Sequence, residues 1–243
     1  MTQIKGHAKS QRVKEIERLM QMRKKRSNFQ MQMKISIWDW TVGFAKFLKS
    51  FLDVLLSLIL LVLLSPILII TSILIYLNDP GPIFYVANRV GLNGAYFGFI
   101  KFRSMYVNAD KMKDKLMQMN ESEDGVIFKI RNDPRVTPIG KFIRRYSIDE
   151  LPQLINVLKG DMSLVGPRPP LPLEVMQYTL EERKRLHVKP GITCLWQIKG
   201  RSDIPFRQQV QLDMEYIRSQ GIKNDLVILL KTIPAVISGK GAY

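Results

Sequence analysis

Residues 141–169 read KFIRRYSIDELPQLINVLKGDMSLVGPRP and place two adjacent carboxylates, Asp149 and Glu150, shortly after a pair of arginines. Ser147 and Glu150 form an S-x-x-E pattern, which is typical of a capping box at a helix N-terminus. Gly160 is placed to end that helix in the left-handed conformation. The helical spacing predicts a buried face made of Leu151, Leu154, Ile155 and Leu158. The plainest interpretation is structural, with two acids at the positive end of a helix dipole.

Other features of the same stretch indicate chemistry. Pro152 lies inside the predicted helix, where it removes a backbone N–H and opens the first turn. A helix N-terminus attracts anions, and Arg144, Arg145 and Arg168 carry the forked donors that bind phosphate through two hydrogen bonds. A carboxylate held among phosphates and cations can attack phosphorus, as Asp149 would in aspartyl-phosphate chemistry. Both interpretations stay open at the level of these residues alone.

The composition indicates an anionic partner. The 243 residues carry 37 Lys and Arg against 21 Asp and Glu, which gives a net charge of +16. Nucleic acid, anionic lipid and phosphorylated small molecules all fit that charge. The sequence has no zinc-ligand spacing, aromatic RNA-binding run or basic zipper, so we do not expect nucleic acid. Cys194 is the single cysteine, and His7 and His187 lie far apart, so we expect neither disulfides nor a histidine metal site.

The first 50 residues form a basic arm with twelve Lys and Arg, three acids and a net charge of +9. Val13, Ile16 and Leu19 recur at helical spacing among the basic residues, which favours an amphipathic helix lying on anionic membrane lipids. Trp38 and Trp40 suit a membrane interface. A solvated and partly disordered tail fits this composition equally well.

An uncharged segment of 24 residues, Val54–Leu77, follows the arm and is long enough to cross a bilayer. Ser65 and Pro66 interrupt its middle, so one interpretation is a spanning helix kinked at proline. The alternative is a re-entrant helix-break-helix, in which the Ser65 hydroxyl satisfies a freed carbonyl. We favour re-entry, because the chain is basic on both sides of the segment and positive flanks stay in the cytoplasm.

Three further elements are predicted downstream. Ile83–Val86 and Tyr96–Ile100 read as strands around a turn rich in glycine and asparagine, which predicts a β-hairpin. Leu173–Leu186 reads as one helix, with its apolar face formed by Leu173, Met176 and Leu180. A later helix begins after Pro205, and its predicted buried residues are Phe206, Val210, Met214 and Ile217.

The stretch from Ser147 to Pro169 resembles the signature of the bacterial sugar transferases, the monotopic polyprenyl-phosphate phosphoglycosyl transferases. The resemblance covers about residues 46–238 and includes K-F-R-S-M from Lys101, P-G-I-T from Pro190 and L-D-x-x-Y-I from Leu212. It implies an α+β fold that is mainly α, with a small β-hairpin and interfacial amphipathic helices. The implied domains are a basic arm (1–45), a re-entrant membrane helix broken at Ser65-Pro66 (46–78) and a cytosolic transferase domain (79–243).

The resemblance also implies an activity. A sugar-1-phosphate would pass from a UDP-sugar to undecaprenyl phosphate with release of UMP, at the cytoplasmic face of a bacterial inner membrane. This would be the first membrane step of exopolysaccharide, capsule or glycan assembly, with a hexose such as glucose or galactose favoured only by association. The alternative is a basic membrane-bound scaffold or nucleic-acid-binding protein, in which the acids merely cap a helix. A homo-oligomer stays open.

The resemblance assigns roles to single residues. Asp149 would be the nucleophile that forms an aspartyl-phosphosugar, and Asp149 with Glu150 would hold Mg²⁺, which takes few protein carboxylates plus substrate phosphates. The implied phosphate contacts are Lys101, Arg103, Arg144 and Arg168. Two weaker candidates for substrate contact are Asp213 and Arg145.

Overall fold

The computed structural model of the chain describes residues 2–109, 111–112, 130 and 132–241. The side chains of Val13, Ile16 and Leu19, which carry the predicted amphipathic face, lie outside what it describes. The chain divides into two units, residues 1–49 and 50–243. The first unit is part of helix α1, Thr2–Leu63. The second unit holds the rest of that helix and all the elements that position the site.

Helix α1 ends one residue before helix α2, Ser65–Asn78, and the break falls at the predicted Ser65-Pro66 pair. Pro66 lies in the first turn of α2, where a missing N–H costs no hydrogen bond. The Ser65 hydroxyl donates to the carbonyl of Val62 at 2.8 Å, so the expected satisfaction of a freed carbonyl is confirmed. Within the described residues, no helix is by itself long and apolar enough to cross a membrane. A pair bent by 62°, Met22–Leu63 with α2, is long and apolar enough.

The predicted hairpin is confirmed. Strand β1, Phe84–Val90, pairs antiparallel with β2, Tyr96–Phe102, and its first residue lies opposite Phe102. Asn93 has a φ of 54° in the connecting turn, a left-handed value that asparagine tolerates well. Both strands run beyond the predicted limits. Lys101 therefore lies on β2 itself, two residues from the buried Phe99.

The quoted stretch folds into short elements. Helix α3, Pro138–Arg145, precedes a 3-10 helix, Ile148–Gln153, which we call the acidic 3-10 helix because it carries both carboxylates. Helix α4, Leu154–Lys159, follows directly and ends at Gly160, whose φ of 84° confirms the predicted left-handed cap.

A second pair of strands was not predicted. Strand β3, Ser163–Val165, runs parallel to β4, Gly191–Thr193. Each strand has three residues, too few to show an alternating pattern. Together they hold the start of the Gly166–Pro169 turn inside the core, which includes Val165 and Trp196.

The remaining helices pack around these strands and complete a mainly helical architecture with small sheets, as the α+β class predicts. In the part of the chain after β3 they are α5 (Pro172–Gln177), α6 (Leu180–Arg183), a 3-10 helix (Lys184–His187), α7 (Leu195–Lys199), a 3-10 helix (Arg201–Asp203), α8 (Phe206–Arg218) and α9 (Ile222–Ser238).

The single helix predicted over Leu173–Leu186 is wrong. The chain breaks at Tyr178, because Thr179 and Glu182 form a capping box that starts α6. The predicted apolar face is exposed, with 67%, 76% and 83% of Leu173, Met176 and Leu180 accessible to solvent. The buried residues of this region are Tyr178 and Arg185.

The buried face of α8 also differs from the prediction. Phe206, Gln209, Leu212, Asp213 and Tyr216 are buried, whereas Val210, Met214 and Ile217 are only partly covered. The true face lies about one residue around the helix, because buried polar partners make Gln209 and Asp213 inward-facing. The spacing of apolar residues alone does not predict which polar residues of a helix are buried.

Candidate active site

The acidic 3-10 helix does not begin with the predicted capping box. Ser147 has a φ of 52°, and its side chain caps no backbone N–H. Its hydroxyl accepts a hydrogen bond from Arg201 at 2.9 Å. Glu150 does not reach back to Ser147, and its carboxylate instead binds Arg168 at 2.8 Å. Glu150 therefore contacts a cation from another segment, and the structural interpretation of the pair as a helix cap is wrong.

The 3-10 geometry explains why the predicted buried face is only partly correct. A 3-10 helix turns by about 120° per residue rather than about 100°, so each residue falls further around the axis. Leu154 is buried as predicted, but Val157 takes the next inner position at 1% exposure, and Leu158 lies 37% exposed. Pro152 sits inside this helix and accounts for the local change, because it cannot donate an α-helical hydrogen bond.

A cleft of about 1070 Å³ opens above the acidic 3-10 helix. Asp149 and Glu150 lie on its wall. The basic residues of the wall are Arg89, Lys101, Arg103, Arg135, Arg144, Arg168, Arg185 and Arg201. The wall therefore joins β1, β2, α3, the turn after β3 and the elements around α8. It brings together residues separated by more than 100 positions in the sequence.

Asp149 is the most electrostatically perturbed carboxylate of the wall. Burial, followed by the charge of the neighbouring Glu150, raises the pKa of Asp149 to about 6, while Lys101, Arg144 and Arg168 oppose the rise. The surrounding cations thus keep a largely buried carboxylate ionisable near neutral pH. Such a group is desolvated and reactive without being permanently protonated.

Lys101 complements Asp149 from strand β2. Burial lowers the pKa of Lys101 to about 8, and Asp149 opposes that shift. The ammonium also lies 5.4 Å from the centre of the Tyr85 ring on the paired strand. Lys101 is therefore mostly charged at neutral pH and loses its proton at moderately alkaline pH, and Asp149 favours its charged form.

Arg144 is fixed by close packing between α3 and the end of β2. Its Nε donates to the Ser104 hydroxyl at 2.9 Å. Thr137 caps α3 through the N–H of Gly140 at 2.9 Å. A Cβ at Gly140 would lie 1.9 Å from the Ser104 carbonyl oxygen, so only glycine allows this approach. Burial lowers the pKa of Arg144, and Asp149 opposes the shift.

Arg168 follows β3 in the Gly166–Pro169 turn. A Cβ at Gly191 would meet the Gly166 nitrogen at 2.0 Å, so the glycine pair lets β4 pass directly behind this turn. Burial opposes the charged guanidinium, yet Glu150 holds the pKa of Arg168 above its ordinary value. The turn therefore presents a permanently charged fork beside both carboxylates.

The other predicted residues lie in different surroundings. Arg103 is on the cleft wall, and its guanidinium binds the backbone and carboxylate of Asp79, at 3.6 Å for the ion pair. Arg145 does not line the cleft; its side chain packs beside Gly239 and over Tyr146 at 5.7 Å. Asp213 does not reach the cleft either. It is fully buried on α8 and binds Arg185 at 2.7 Å, which differs from the expected contact with substrate.

Sequence reasoning missed three arginines of the wall. Arg89 lies over the Phe99 ring at 5.3 Å and donates to the Pro169 carbonyl. Arg185 is held by Asp213, and Arg201 by Ser147. Each lies in a plain stretch of sequence with no phosphate-binding pattern. A further arginine of the wall, Arg135, forms an ion pair with Asp133, two residues earlier in the chain, at 2.6 Å.

The carboxylates fit a cation that is completed by substrate. Among the described residues, no three His, Cys, Asp or Glu side chains are grouped closely enough to hold a metal by themselves. Mg²⁺ usually takes one or two protein carboxylates and draws its other ligands from water and phosphates. Asp149 and Glu150 meet that pattern. After burial, the charge of Glu150 is the next cause that raises the pKa of Asp149, and a bound cation would offset that repulsion between the two acids.

A buried carboxylate beside a second acid, in an open cleft lined with forked cations, defines a site for reactions at phosphorus. Comparison with known proteins agrees with that class. The chain belongs to the bacterial sugar transferase family, whose profile matches residues 44–239.

Curated relatives carry specific activities in their names. The chain is 52% identical over 166 residues to the galactosyl transferase CpsE of Streptococcus agalactiae, which covers 68% of this chain and 37% of that protein. It is 40% identical over 198 residues to the exopolysaccharide production protein ExoY of Sinorhizobium fredii, covering 80% and 88%. It is 36% identical over 203 residues to the UDP-glucose:undecaprenyl-phosphate glucose-1-phosphate transferase of Caulobacter vibrioides, covering 80% and 72%. The chain thus spans little more than a third of CpsE and most of the other two.

Proposed function

We propose that this protein transfers a sugar-1-phosphate from a UDP-sugar to undecaprenyl phosphate and releases UMP. The observation that carries the proposal is the position of Asp149, a buried carboxylate on the cleft wall with Lys101, Arg144 and Arg168 acting on its charge. The names of the relatives, which include undecaprenyl-phosphate sugar transferases, support the same donor and acceptor. ExoY supports a role in exopolysaccharide assembly.

The reaction proceeds in two displacements at one phosphorus. A carboxylate oxygen of Asp149 attacks the sugar-bearing phosphorus of the donor, and the bond to the bridging oxygen breaks as UMP leaves. An aspartyl-phosphosugar results. An oxygen of undecaprenyl phosphate then attacks the same phosphorus, which gives undecaprenyl-diphospho-sugar and restores the Asp149 carboxylate. One phosphoanhydride replaces another, so the main barrier is repulsion between anions rather than bond strength.

The cations of the cleft wall reduce that repulsion. Lys101 and Arg144 act directly on the charge of Asp149, and Arg168 joins them from the turn after β3. Forked guanidinium groups bind phosphate oxygens in fixed directions, which holds the attacking and leaving groups in line. Arg103 lies on the same wall but is shared with Asp79, so we assign it to anchoring the end of α2 as well as to phosphate.

Asp149 and Glu150 are the residues that would hold Mg²⁺ together with donor phosphates. When bound, the ion supplies charge neutralisation at the phosphate oxygens. Glu150 is already oriented by Arg168, so its carboxylate has a defined direction before substrate arrives. Asp149 is more buried, which suits a group that changes from a charged carboxylate to an acyl phosphate.

The membrane arrangement follows from the acceptor, whose phosphate stays at the lipid surface. We assign the bent pair of α1 and α2 to a re-entrant anchor that enters and leaves at the cytoplasmic face. The basic charge of both flanks supports that orientation. Exposed apolar side chains near residue 40, including Trp38, Trp40 and Phe44, suit the interface with anionic lipids. The protein would then work at the inner membrane of a bacterium.

A UMP-release assay tests the proposal. Full-length protein in detergent would receive undecaprenyl phosphate, Mg²⁺ and either UDP-galactose or UDP-glucose. We expect UMP release that requires the lipid phosphate in multiple turnovers and is lost in Asp149→Asn. Incubation of the unmodified protein with donor alone should yield a protein mass increased by one hexose phosphate.

Two outcomes would overturn the proposal. Release of UDP would identify an ordinary glycosyl transferase that moves the sugar without its phosphate. Multiple turnovers in Asp149→Asn at a rate close to that of the parent would remove the covalent intermediate.

A further inference from the structure

The cleft wall contains a second region whose chemistry differs from the surroundings of Asp149. It is formed by Tyr178, Arg185 and Phe206, which we call the aromatic wall. The rings of Tyr178 and Phe206 lie with their centres 5.6 Å apart at an angle of 33°. The guanidinium of Arg185 covers both rings, at 5.6 and 5.8 Å from their centres. The first step of the proposed reaction does not use any of these residues.

Arg185 is held in one orientation by three kinds of contact. Its Nη2 binds the buried carboxylate of Asp213 at 2.7 Å, and its Nη1 donates to the Tyr178 hydroxyl at 3.0 Å. The two aromatic faces fix the plane of the guanidinium. A guanidinium carries five N–H donors, and the contacts with Asp213 and Tyr178 engage only some of them. The side chain is therefore a rigid donor group at the cleft wall.

The positive charge of Arg185 is neutralised by a carboxylate in direct contact with its guanidinium. Asp213 is fully buried at 2.7 Å, so the pair presents little net charge to the cleft. Lys101 and Arg144 differ, because the carboxylate that acts most strongly on their charge is Asp149 on the cleft wall itself. A neutralised donor beside aromatic faces suits uncharged hydroxyl groups and C–H surfaces, whereas the cations near Asp149 suit phosphates.

Arg201 connects this region to the site of reaction. Its guanidinium binds the hydroxyl of Ser147, two residues before Asp149. Arg201 also belongs to the 3-10 helix that leads into α8, which begins at Phe206. Phe206 of the aromatic wall thus follows closely on a segment that contacts the acidic 3-10 helix.

We propose that the aromatic wall binds the hexose of the UDP-sugar, an inference that rests on the proposed function. In that reaction the sugar stays on the attacked phosphorus through both displacements, whereas UMP departs opposite the nucleophile. A sugar subsite must therefore adjoin the acidic 3-10 helix and stay occupied in the covalent intermediate. Asp213 gains a role here as a positioning residue, because it neutralises and orients Arg185 without touching substrate.

The test compares the sugar with the nucleotide. Tyr178→Phe keeps the ring and removes the hydroxyl that holds Arg185, so it should fold. Arg185→Lys keeps the charge and removes the fork. Tyr96→Phe is the matched control, because Tyr96 is exposed on β2 and is not among the residues of the cleft wall. The measurements are kcat/KM for UDP-galactose and for UDP-glucose, and the inhibition constant of UMP.

We expect kcat/KM to fall about threefold to tenfold in Tyr178→Phe, the value of one hydrogen bond, with a changed ratio between the two epimeric donors. Arg185→Lys should change the ratio further. The UMP inhibition constant should stay within about twofold of the parent in both, because UMP carries no hexose. The control should match the parent in all three measurements.

Three results would overturn the subsite. If the UMP inhibition constant rises by the same factor by which kcat/KM for the donor falls, the uridine binds at the aromatic wall. An unchanged epimer ratio with equal loss for both donors would make the wall merely structural. Unchanged kinetics in both variants would exclude any contact with donor. A parent protein that releases no UMP from any hexose donor would instead defeat the proposed function itself, and the subsite with it.

Discussion

Arg168 donates a hydrogen bond to Glu150 at 2.8 Å, and this contact joins the Gly166–Pro169 turn to the acidic 3-10 helix. The two residues are 18 positions apart, and a helix and a strand lie between them. Glu150 is thereby directed into the cleft instead of capping the helix at Ser147. Asp149 is the acid whose ionisation changes close to neutral pH, because burial and the charge of Glu150 raise its pKa to about 6.

Glu150→Gln should weaken the response to Mg²⁺ while the fold stays intact. The amide keeps an oxygen that can accept from Arg168 but loses the negative charge that attracts the ion. We expect the Mg²⁺ concentration for half-maximal UMP release to rise about tenfold or more, with unfolding free energy changed by about 1 kcal/mol or less. Glu181→Gln, an exposed pair partner of Lys184, is the matched control. An unchanged Mg²⁺ titration in Glu150→Gln would exclude Glu150 as a ligand.

Asp149→Asn should abolish turnover without destabilising the protein. The pKa of Asp149 is raised by burial from its ordinary value of 3.8 to about 6, so the fold favours the neutral acid. That favourable contribution is complete below the unfolded value and is lost as the pH rises through about 6. Asparagine removes the penalty, so we expect a melting temperature at or above the parent's at pH 7.5 and equal to it near pH 4. UMP release should fall by at least about 10⁴-fold.

A helix-capping role makes the opposite prediction for the same variant. If Asp149 stabilised the fold as a cap, its replacement would cost about 1 kcal/mol and lower the melting temperature at neutral pH. Thermal unfolding of both proteins across pH 4–8 therefore separates a functional carboxylate from a structural one. It does so without any substrate, so the result does not depend on the choice of sugar.

The pH dependence of turnover should form a plateau bounded by two residues. Asp149 must be ionised to attack, so the rate should rise as the pH passes about 6. Burial lowers the pKa of Lys101 to about 8, so its phosphate-binding charge is lost above that pH and the rate should fall. Lys101→Arg should move the alkaline limb upward by more than one pH unit, because guanidinium stays charged. If the rate of Lys101→Arg falls at the same alkaline pH as that of the parent, Lys101 is not the source of the alkaline limb.

Local sequence chemistry predicted the features that depend on neighbours in the chain. Gly160 was expected to cap a helix in the left-handed conformation, and Ser65 was expected to satisfy a carbonyl at the membrane break. Turn residues likewise predicted the β-hairpin. Each of these rests on contacts within a few residues, where backbone geometry restricts the outcome.

The site could be predicted where residue chemistry or a family pattern marked it. Lys101, Arg144, Asp149, Glu150 and Arg168 do share the cleft wall. Asp213 was misplaced, because its partner Arg185 lies 28 positions earlier and no local pattern connects them. The face of α8 depends on that partner, since a buried carboxylate needs a cation and otherwise points to solvent. Long-range pairing of this kind is a property of the packed chain.

Asp53 should couple helix α1 to the strand that leads to Arg168. Its carboxylate accepts from the Ser163 hydroxyl at 2.7 Å, and the amide of Leu164 lies at 3.4 Å. Ser163 is buried, so Ser163→Ala should cost about 1–2 kcal/mol of unfolding free energy. The double variant with Asp53→Ala should cost less than the sum of the single variants by about 1 kcal/mol, as measured by denaturant unfolding in detergent. Additive costs would show that this hydrogen bond contributes no coupling.

Gly140→Ala should damage both stability and turnover, because a methyl group at this position would overlap the Ser104 carbonyl at 1.9 Å. Helix α3 must then move away from the end of β2, which would break the hydrogen bond between Arg144 and Ser104. We expect a loss of about 1–3 kcal/mol or more and a clear fall in UMP release. Gly43→Ala is the control: it lies in α1 with no described atom within 4 Å of its Cβ, so alanine should raise stability by up to about 1 kcal/mol. Equal effects of both variants would indicate that the close approach of α3 to Ser104 does not position Arg144.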